Sequence, residues 1–294
     1  MRYSVIIPVY NRPDEVDELL QSLTQQSFKD FEVIVVEDGS SIPCKPVTEK
    51  YQELLDVHYY DKPNSGPGQT RNYGVERSKG EYLIILDSDC ILPEGYFLAV
   101  EEELQHEAAD AFGGPDRAHE SFTNIQKAIN YSMTSFFTTG GIRGGKKKMD
   151  KFYPRSFNMG VRQEVYQALG GFSRMRFGED IDFSIRIFKG GYTCRLFPGA
   201  WVYHKRRTDF RKFFKQVHNS GIARINLYKK YPESLKLVHL LPAAFTLGVA
   251  IFLLGTPFCP YSLLPIALYA LLVCMDSTIP VSYTHLTLPT NREV

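Results

Sequence analysis

Residues Tyr82–Leu86 form an unbroken apolar run that ends in two carboxylates, Asp87 and Asp89, within Leu-Asp-Ser-Asp. Five successive apolar residues suit a central strand covered on both faces of an α/β sheet. Open α/β sheets place their ligands at the carboxyl ends of such strands, and positions i and i+2 of an extended chain project to one side there. Two acids held so close are costly unless a cation or a hydrogen-bond network balances them. A Mg2+ or Mn2+ shared with substrate phosphates supplies that balance. The pair points to chemistry on a phosphorylated substrate, with an ordinary strand-end turn as the competing reading.

The first 112 residues alternate strands and helices, as a doubly wound sheet does. Strands are predicted at Tyr3–Val9, Phe31–Glu37, Val57–Tyr60, Tyr82–Leu86 and Ala109–Phe112. Helices are predicted over Pro13–Ser27, near Val47–Leu55, from the turn-rich Asn64–Gly68 to Ser78, and over Gly95–His106. In the first helix Pro13 suits the opening turn, Asp14 and Glu15 favour its positive end, and Val16, Leu19, Leu20 and Leu23 make one apolar stripe. Beyond Gly113 the pattern changes to a helix over Ser121–Phe137, a glycine- and lysine-rich mobile loop over Thr138–Lys151, and strand-like Phe152–Val161. A helix over Arg162–Leu169, an acid-headed helix from Glu179, and short strands at Tyr192–Phe197 and Trp201–His204 complete this half.

The strand ends carry polar clusters. Pro8-Val9-Tyr10-Asn11 follows the first strand and Glu37-Asp38-Gly39-Ser40 the second. Asp38 at a strand tip can accept from a base imide or a ribose hydroxyl, with Gly39 allowing a close turn; a plain turn is again the alternative. Gly66-Pro67-Gly68-Gln69-Thr70-Arg71-Asn72 opens a helix, so free backbone N–H groups and Arg71 face the same edge, which suits a diphosphate. No Walker phosphate loop and no Gly-x-Gly-x-x-Gly fingerprint occurs, which argues against ATPases and dinucleotide enzymes.

Charge is distributed unevenly. Residues 1–203 hold 23 Lys and Arg against 29 Asp and Glu, a balance of −6, whereas 204–230 hold nine basic residues against Asp209 alone. Phe210, Phe213, Phe214, Val217, Ile225 and Tyr228 recur at helical spacing in Thr208–Tyr228, broken near Gly221, and read as an interfacial helix on anionic lipid. A nucleic-acid-binding helix is the competitor, but the neighbouring sequence favours a membrane. Between Lys236 and Asp276 lie 39 residues without Asp, Glu, Lys or Arg. One helix of that length would reach about 58 Å, against a hydrocarbon core of ~30 Å, so two spans turning near Pro257–Pro260 fit better. Leu237–Gly255 is the stronger span; Tyr261–Met275 is shorter and contains Pro265. A buried soluble hairpin is the alternative. Basic residues before the first span place 1–236 in the cytoplasm of a multi-pass inner-membrane protein. The five scattered cysteines show neither a disulfide framework nor a zinc site, and no signal peptide precedes the first strand. Val281–Val294 reads as non-native adapter read-through, and the natural chain is expected to continue beyond it.

Four segments together resemble the family 2 glycosyltransferases: Tyr-Ser-Val-Ile-Ile-Pro-Val-Tyr-Asn at 3–11, Val-Ile-Val-Val-Glu-Asp-Gly-Ser at 33–40, Gly-Pro-Gly-Gln-Thr-Arg-Asn at 66–72 and Leu-Asp-Ser-Asp at 86–89. The likeness covers about residues 1–230, with Thr70 standing where the family often has Ala. It implies the nucleotide-sugar-binding GT-A architecture, a doubly wound, Rossmann-like mixed sheet with flanking helices. By that resemblance Asp38 contacts the nucleotide base, and Pro8, Val9 and Tyr10 line its pocket beside Asn11. Asp87 meets the ribose or the metal's water shell, with Ser88 next to it, and Asp89 binds the divalent metal. Phe177-Gly178-Glu179-Asp180 resembles the family's Glu-Asp pair, with Asp180 as the base that deprotonates the acceptor. Asp182 is assigned to the helix surface or a salt bridge. Phe157–Gly160 and Gly170–Phe172 resemble the acceptor-side framework, Gly113–Arg117 its rim, and His204 is a further candidate metal ligand. Lys146–Lys148 are candidates to steer a phosphate-bearing acceptor.

The expectation is thus a catalytic domain at 1–203 (a nucleotide-sugar half at 1–112 and an acceptor half at 113–203), a basic interfacial segment at 204–236, a transmembrane hairpin at 237–275, and a tail at 276–294. The implied activity is inverting, metal-dependent (Mg2+ or Mn2+) transfer of a hexosyl-type group. The sugar would pass from a nucleoside-diphosphate donor to a hydroxyl of a lipid-linked or polysaccharide acceptor, as in cell-envelope polysaccharide synthesis. The partners would be donor, acceptor and membrane lipids, with no nucleic acid. A nucleotidyltransferase of similar fold, which would release pyrophosphate, and a catalytically silent membrane scaffold are the alternatives.

Overall fold

The computed structural model describes residues 1–117, 123–135, 138, 152–205 and 209–286, with the backbone alone at 134, 238 and 278–286. Of the loop expected over Thr138–Lys151, residues 139–151, with Lys146–Lys148, lie outside the described residues. The chain divides into two compact units. The first comprises Met1–Phe122, Met149–Arg206 and Phe214–Ala223; the second comprises Thr123–Lys148, Arg207–Phe213 and Arg224–Val294.

The first unit is built on a seven-stranded sheet in the order β3-β2-β1-β4-β8-β6-β9. Its strands are β1 (Tyr3–Val9), β2 (Phe31–Asp38), β3 (Val57–Lys62), β4 (Tyr82–Leu86), β6 (Ala111–Gly113), β8 (Asn158–Arg162) and β9 (Cys194–Leu196). β3, β2, β1 and β4 run parallel, and β8 is antiparallel to both β4 and β6. A small second sheet has β10 (Val202–His204) between β5 (Cys90–Ile91) and β7 (Asp116–Arg117).

Apolar residues alternate between the two faces, as the period-2 geometry of strands requires. Val5, Ile7, Val33, Val35 and Ile84 pack with Val16, Leu19, Leu20 and Leu23 of the helix Pro13–Thr24 and with Tyr96, Phe97 and Val100 of the helix Tyr96–His106. Ile6, Ile34, Val36, Leu83 and Ile85 pack on the other face with Val75 of the helix Pro67–Val75 and with Phe183 and Ile187 of the helix Glu179–Lys189. Each fully buried Leu or Ile contributes about 1.5–3 kcal/mol, so the burial of these two layers is what fixes the sheet.

Two expectations about this unit change. Asp87 and Asp89 are not on an extended strand: β4 stops at Leu86, and Cys90 N donates to Asp87 O at 3.1 Å, closing a tight turn that carries Ser88 and Asp89. The strand expected over Phe152–Val161 joins the sheet from Asn158, where the β4 ladder ends at Leu86, with only an isolated bridge from Arg155 to Asn158 before it.

In the second unit the helix Asn124–Thr134 opens with a capping box between Thr123 and Gln126. Tyr131 and Ser135 each donate to Asp276, at 2.6 Å, tying this segment to the acid that closes the charge-free stretch. The two expected spans exchange roles. The helix Leu241–Gly255 has 15 residues and reaches only about 22 Å, after a 3-10 turn over Leu237–Leu240. The helix Leu264–Leu286 has 23 residues, with Pro265 in its first turn, where a missing N–H costs nothing. Among the described residues one helical stretch, Pro260–Ser277, is long and apolar enough to cross a membrane, with mean hydropathy 1.4 and no part buried. The helix Phe210–Lys230 is capped by Asp209 and runs through Gly221 without the expected break. A lone helical glycine costs only about 1 kcal/mol, too little to interrupt it.

Candidate functional site

Parallel order puts the tips of β1, β2 and β4 side by side, and their polar residues meet there. At the β1 tip Tyr10 is 54% exposed and Asn11 adopts φ 54°, a left-handed conformation that Asn tolerates. Asn11 N donates to Ser40 Oγ at 2.7 Å, and Asn11 Oδ1 accepts from Ser41 N and Ile42 N at 2.8 and 3.0 Å. Ser40 in turn donates to buried Glu37, so the first two strand tips are locked together.

Asp38 ends β2, with Lys62 beside it in register on β3. Its carboxylate accepts from Lys62 Nζ, from Ser65 N at 2.9 Å and from Gly66 N at 3.0 Å. Burial alone would raise its pKa, but Lys62 and the backbone donors hold it below the usual carboxylate range. The sequence assigns Asp38 to a ligand; here most of its acceptor capacity goes to holding the loop before the helix Pro67–Val75. Gly39, at φ 70°, lies so close to Asn64 that a Cβ would meet its backbone nitrogen at 2.8 Å.

Arg71 is 3% exposed and donates to Asp87 at 2.7 Å and to Glu179 at 2.9 Å. Expected to face a diphosphate, Arg71 here bridges Asp87 and Glu179. Asp89 is buried between two partners: Arg12 donates to one oxygen, and His204 Nε2 lies 3.3 Å from the other. Burial opposes its charge, yet His204 and Arg12 keep its pKa well below normal. β10 delivers His204 opposite Cys90 of β5, and its ring stacks on Phe157 at 4.7 Å.

Asp180 sits in the first turn of its helix, after Gly178 at φ 84°. Arg155 Nε donates to it at 2.7 Å. Burial works against ionisation, but Arg155 and then Arg71 lower the Asp180 pKa. Glu179 shifts the other way: burial dominates and raises it despite Arg71. Asp182 is fully buried and bound by Arg186 Nε at 3.0 Å, so it makes a salt bridge and does not lie on the helix surface.

Asp38, Asp89 and Asp180 thus each have their own cation, Lys62, Arg12 and Arg155 in turn, while Arg71 bridges two acids, Asp87 and Glu179. Pro8 and Val9 form the last residues of β1, and Ser88 is buried in the turn between the two acids. Asn158, in the segment expected to form the acceptor-side framework, accepts from Tyr96 Oη at 2.6 Å and donates to Ala200 O at 2.7 Å. Arg12, Lys62 and Arg155 were missed in the sequence. Arg12 follows the Asn11 cluster directly, the one cue available.

Asp89, Cys90 and His204 bring ligand atoms within 4.8 Å of one another. The Cys90 Sγ donates to Phe157 O, and its soft sulfur does not suit a hard cation such as Mg2+ or Mn2+. A carboxylate oxygen and an imidazole nitrogen remain, a donor pair that fits Mn2+ or Mg2+ completed by phosphate oxygens.

The glycosyl transferase family 2 model matches residues 4–170, more than half of the chain, and the chain belongs to that family. An uncharacterized glycosyltransferase of Haemophilus influenzae is 30% identical over 193 residues, covering 63% of this chain. The chain spans less than two thirds, 62%, of that relative's length. The fold is shared with S. aureus TarS 1-349 in complex with UDP-GlcNAc: TM-score 0.55, 22% identity, 77% of this chain and 67% of that one covered. It is shared too with the mannosyltransferase PcManGT from Pyrobaculum calidifontis in complex with GDP-Man and Mn2+: TM-score 0.60, 17% identity, 95% and 80% covered.

Proposed function

We propose that this chain is an inverting glycosyltransferase. It moves a hexosyl-type sugar from a nucleoside-diphosphate donor to a hydroxyl of a lipid-linked or polysaccharide acceptor at the cytoplasmic face of the membrane. The observation that carries this reading is the buried Asp180, held ionised by Arg155, next in sequence to Glu179, which Arg71 joins to the strand-tip acid Asp87.

In the proposed reaction Pro8, Val9, Tyr10 and Asn11 border the base, and Asp38 offers its remaining acceptor capacity to the base imide. Asp87 and Ser88 border the ribose and diphosphate. The acceptor oxygen forms a bond to the sugar's anomeric carbon as that carbon's bond to the diphosphate breaks, and the hydroxyl proton passes to Asp180. Arg155 keeps Asp180 ionised until the acceptor hydroxyl takes its place. Asp89 and His204 would hold a divalent ion, which when bound stabilises the charge growing on the departing diphosphate. UDP-GlcNAc in the TarS complex, and GDP-Man with Mn2+ in the PcManGT complex, support a nucleotide-sugar donor and a metal.

Membrane attachment is supported by the apolar stretch Pro260–Ser277 and by Phe210, Phe214, Val217, Ile225 and Tyr228, all exposed along one stripe of their helix. The test is release of nucleoside diphosphate from a panel of nucleotide sugars with Mn2+ and a lipid-linked acceptor. Asp180→Asn is expected to abolish transfer and retain donor binding, whereas Asp89→Ala is expected to lose metal-dependent nucleotide binding as well. Normal turnover by Asp180→Asn would refute the base assignment.

A further inference from the structure

The amino ends of β2 and β3, about 20 Å along the strands from the acid-rich tips, hold a second cluster. Ser4 pairs with Glu32 across β1 and β2, and Ile34 pairs with His58 across β2 and β3, so Ser4, Glu32 and His58 share one face of the sheet. Glu32 Oε1 accepts from Ser4 Oγ and from Lys79 N, each at 2.6 Å. Its other oxygen, Oε2, is buried with no hydrogen-bond partner, on a side chain only 1% exposed. His58 Nε2 stands 3.9 Å from that oxygen and 3.1 Å from Asp56 Oδ1, and it too makes no hydrogen bond.

A dry carboxylate oxygen without a donor is costly, and every other feature of Glu32 shows a side chain placed with care. His58 Nε2 lies near both carboxylate oxygens, yet its geometry gives a hydrogen bond to neither. A cation among the three would satisfy all of them. Ligands about 2.0–2.2 Å from a tetrahedral Zn2+ stand about 3.4 Å from one another. The observed 3.1 and 3.9 Å separations straddle that value, and all three ligand atoms lie within 4.8 Å.

We propose that Glu32, Asp56 and His58 form a binding site for a Zn2+-class divalent cation, separate from the strand-tip site. Two carboxylate oxygens and one imidazole nitrogen make three protein ligands, with a position open to water on the side where Asp56 and His58 reach solvent. The cation would pin β3, the edge strand, to β2. The cysteine pattern gives no hint of such a site, because no cysteine takes part.

The full chain, stripped with chelator and kept free of nucleotide, is titrated with Zn2+, and Co2+ absorption provides a second readout. One ion per chain is expected, retained in Asp89→Ala. Loss of an outer partner of a metal ligand already costs ten- to a hundredfold in affinity, so His58→Ala and Asp56→Asn are each expected to bind at least about tenfold more weakly. In EDTA these two variants are expected to melt with the wild type, and Zn2+ to raise the wild-type midpoint alone. Equal Zn2+ stoichiometry and affinity in wild type, His58→Ala and Asp56→Asn, or no Zn2+ bound by the wild type, would overturn the proposal and leave His58 as a plain ion-pair partner. Neither result bears on sugar transfer, which is read separately by nucleoside-diphosphate release.

Discussion

Glu179 and Asp180 are adjacent residues whose environments push them apart: burial raises the first, and Arg155 overcomes burial to lower the second. Divergent carboxyls of this sort mark acid–base assignments in many enzymes. If Arg155 is what holds Asp180 low, Arg155→Met leaves a buried carboxylate without its cation, and the pKa of Asp180 climbs. The acidic limb of the kcat/KM profile is then expected to move to higher pH, measured across pH 5–9. Lys62→Met is expected to raise the donor KM more than it lowers kcat, since it removes the cation that ties Asp38 to Pro63 O and Ser65 Oγ and so loosens the loop that positions Asp38. At this scale the acids were legible and their cations were not. Asp38, Asp87, Asp89 and Asp180 stand at strand ends or a helix start, positions that a pattern reveals. Arg12, Lys62 and Arg155 are isolated basic residues in loops or at a strand end, and only the folded register brings each to its acid.

Elements with a long apolar run were readable to the residue. β1 and β4 begin and end where the sequence puts them, because buried runs such as Tyr82–Leu86 have no other place to go. Shorter elements were read less well: β8 begins only at Asn158 and β3 runs on to Lys62, since pairing, not propensity, decides where a half-apolar segment is a strand. The helix Pro13–Thr24 buries Leu20 completely, and Leu20→Ala is expected to cost about 2–5 kcal/mol in urea unfolding. Gly178, in the left-handed region before Glu179, offers a different test. A side chain there costs about 1–2 kcal/mol. Gly178→Ala is therefore expected to lower stability by that amount and activity by more, as the start of the helix Glu179–Lys189 shifts with both acids.

For the whole molecule, acid sensitivity follows from the sign of the shifts. Asp38, Asp89 and Asp180 have folded pKa values below their unfolded ones, so their contribution is complete above about pH 4 and is lost as pH falls through the folded values. Glu179 acts oppositely, favouring the fold below its unfolded pKa and losing that contribution as pH rises past the raised value. Three against one, the urea midpoint is expected to fall between pH 6 and pH 3. The chain ends remained hardest to read, because hydropathy counts residues while a bilayer measures helix length: Leu241–Gly255 is apolar enough but short. Flotation with anionic vesicles is expected to weaken in Phe214→Asp and at high salt. Finally, β4 pairs on one side with β1 and on the other with β8, whose residues arrive more than 70 positions later. During synthesis, the most hydrophobic strand of the sheet therefore waits with a bare edge until Asn158–Arg162 leave the ribosome, a window in which chaperone capture competes with self-association.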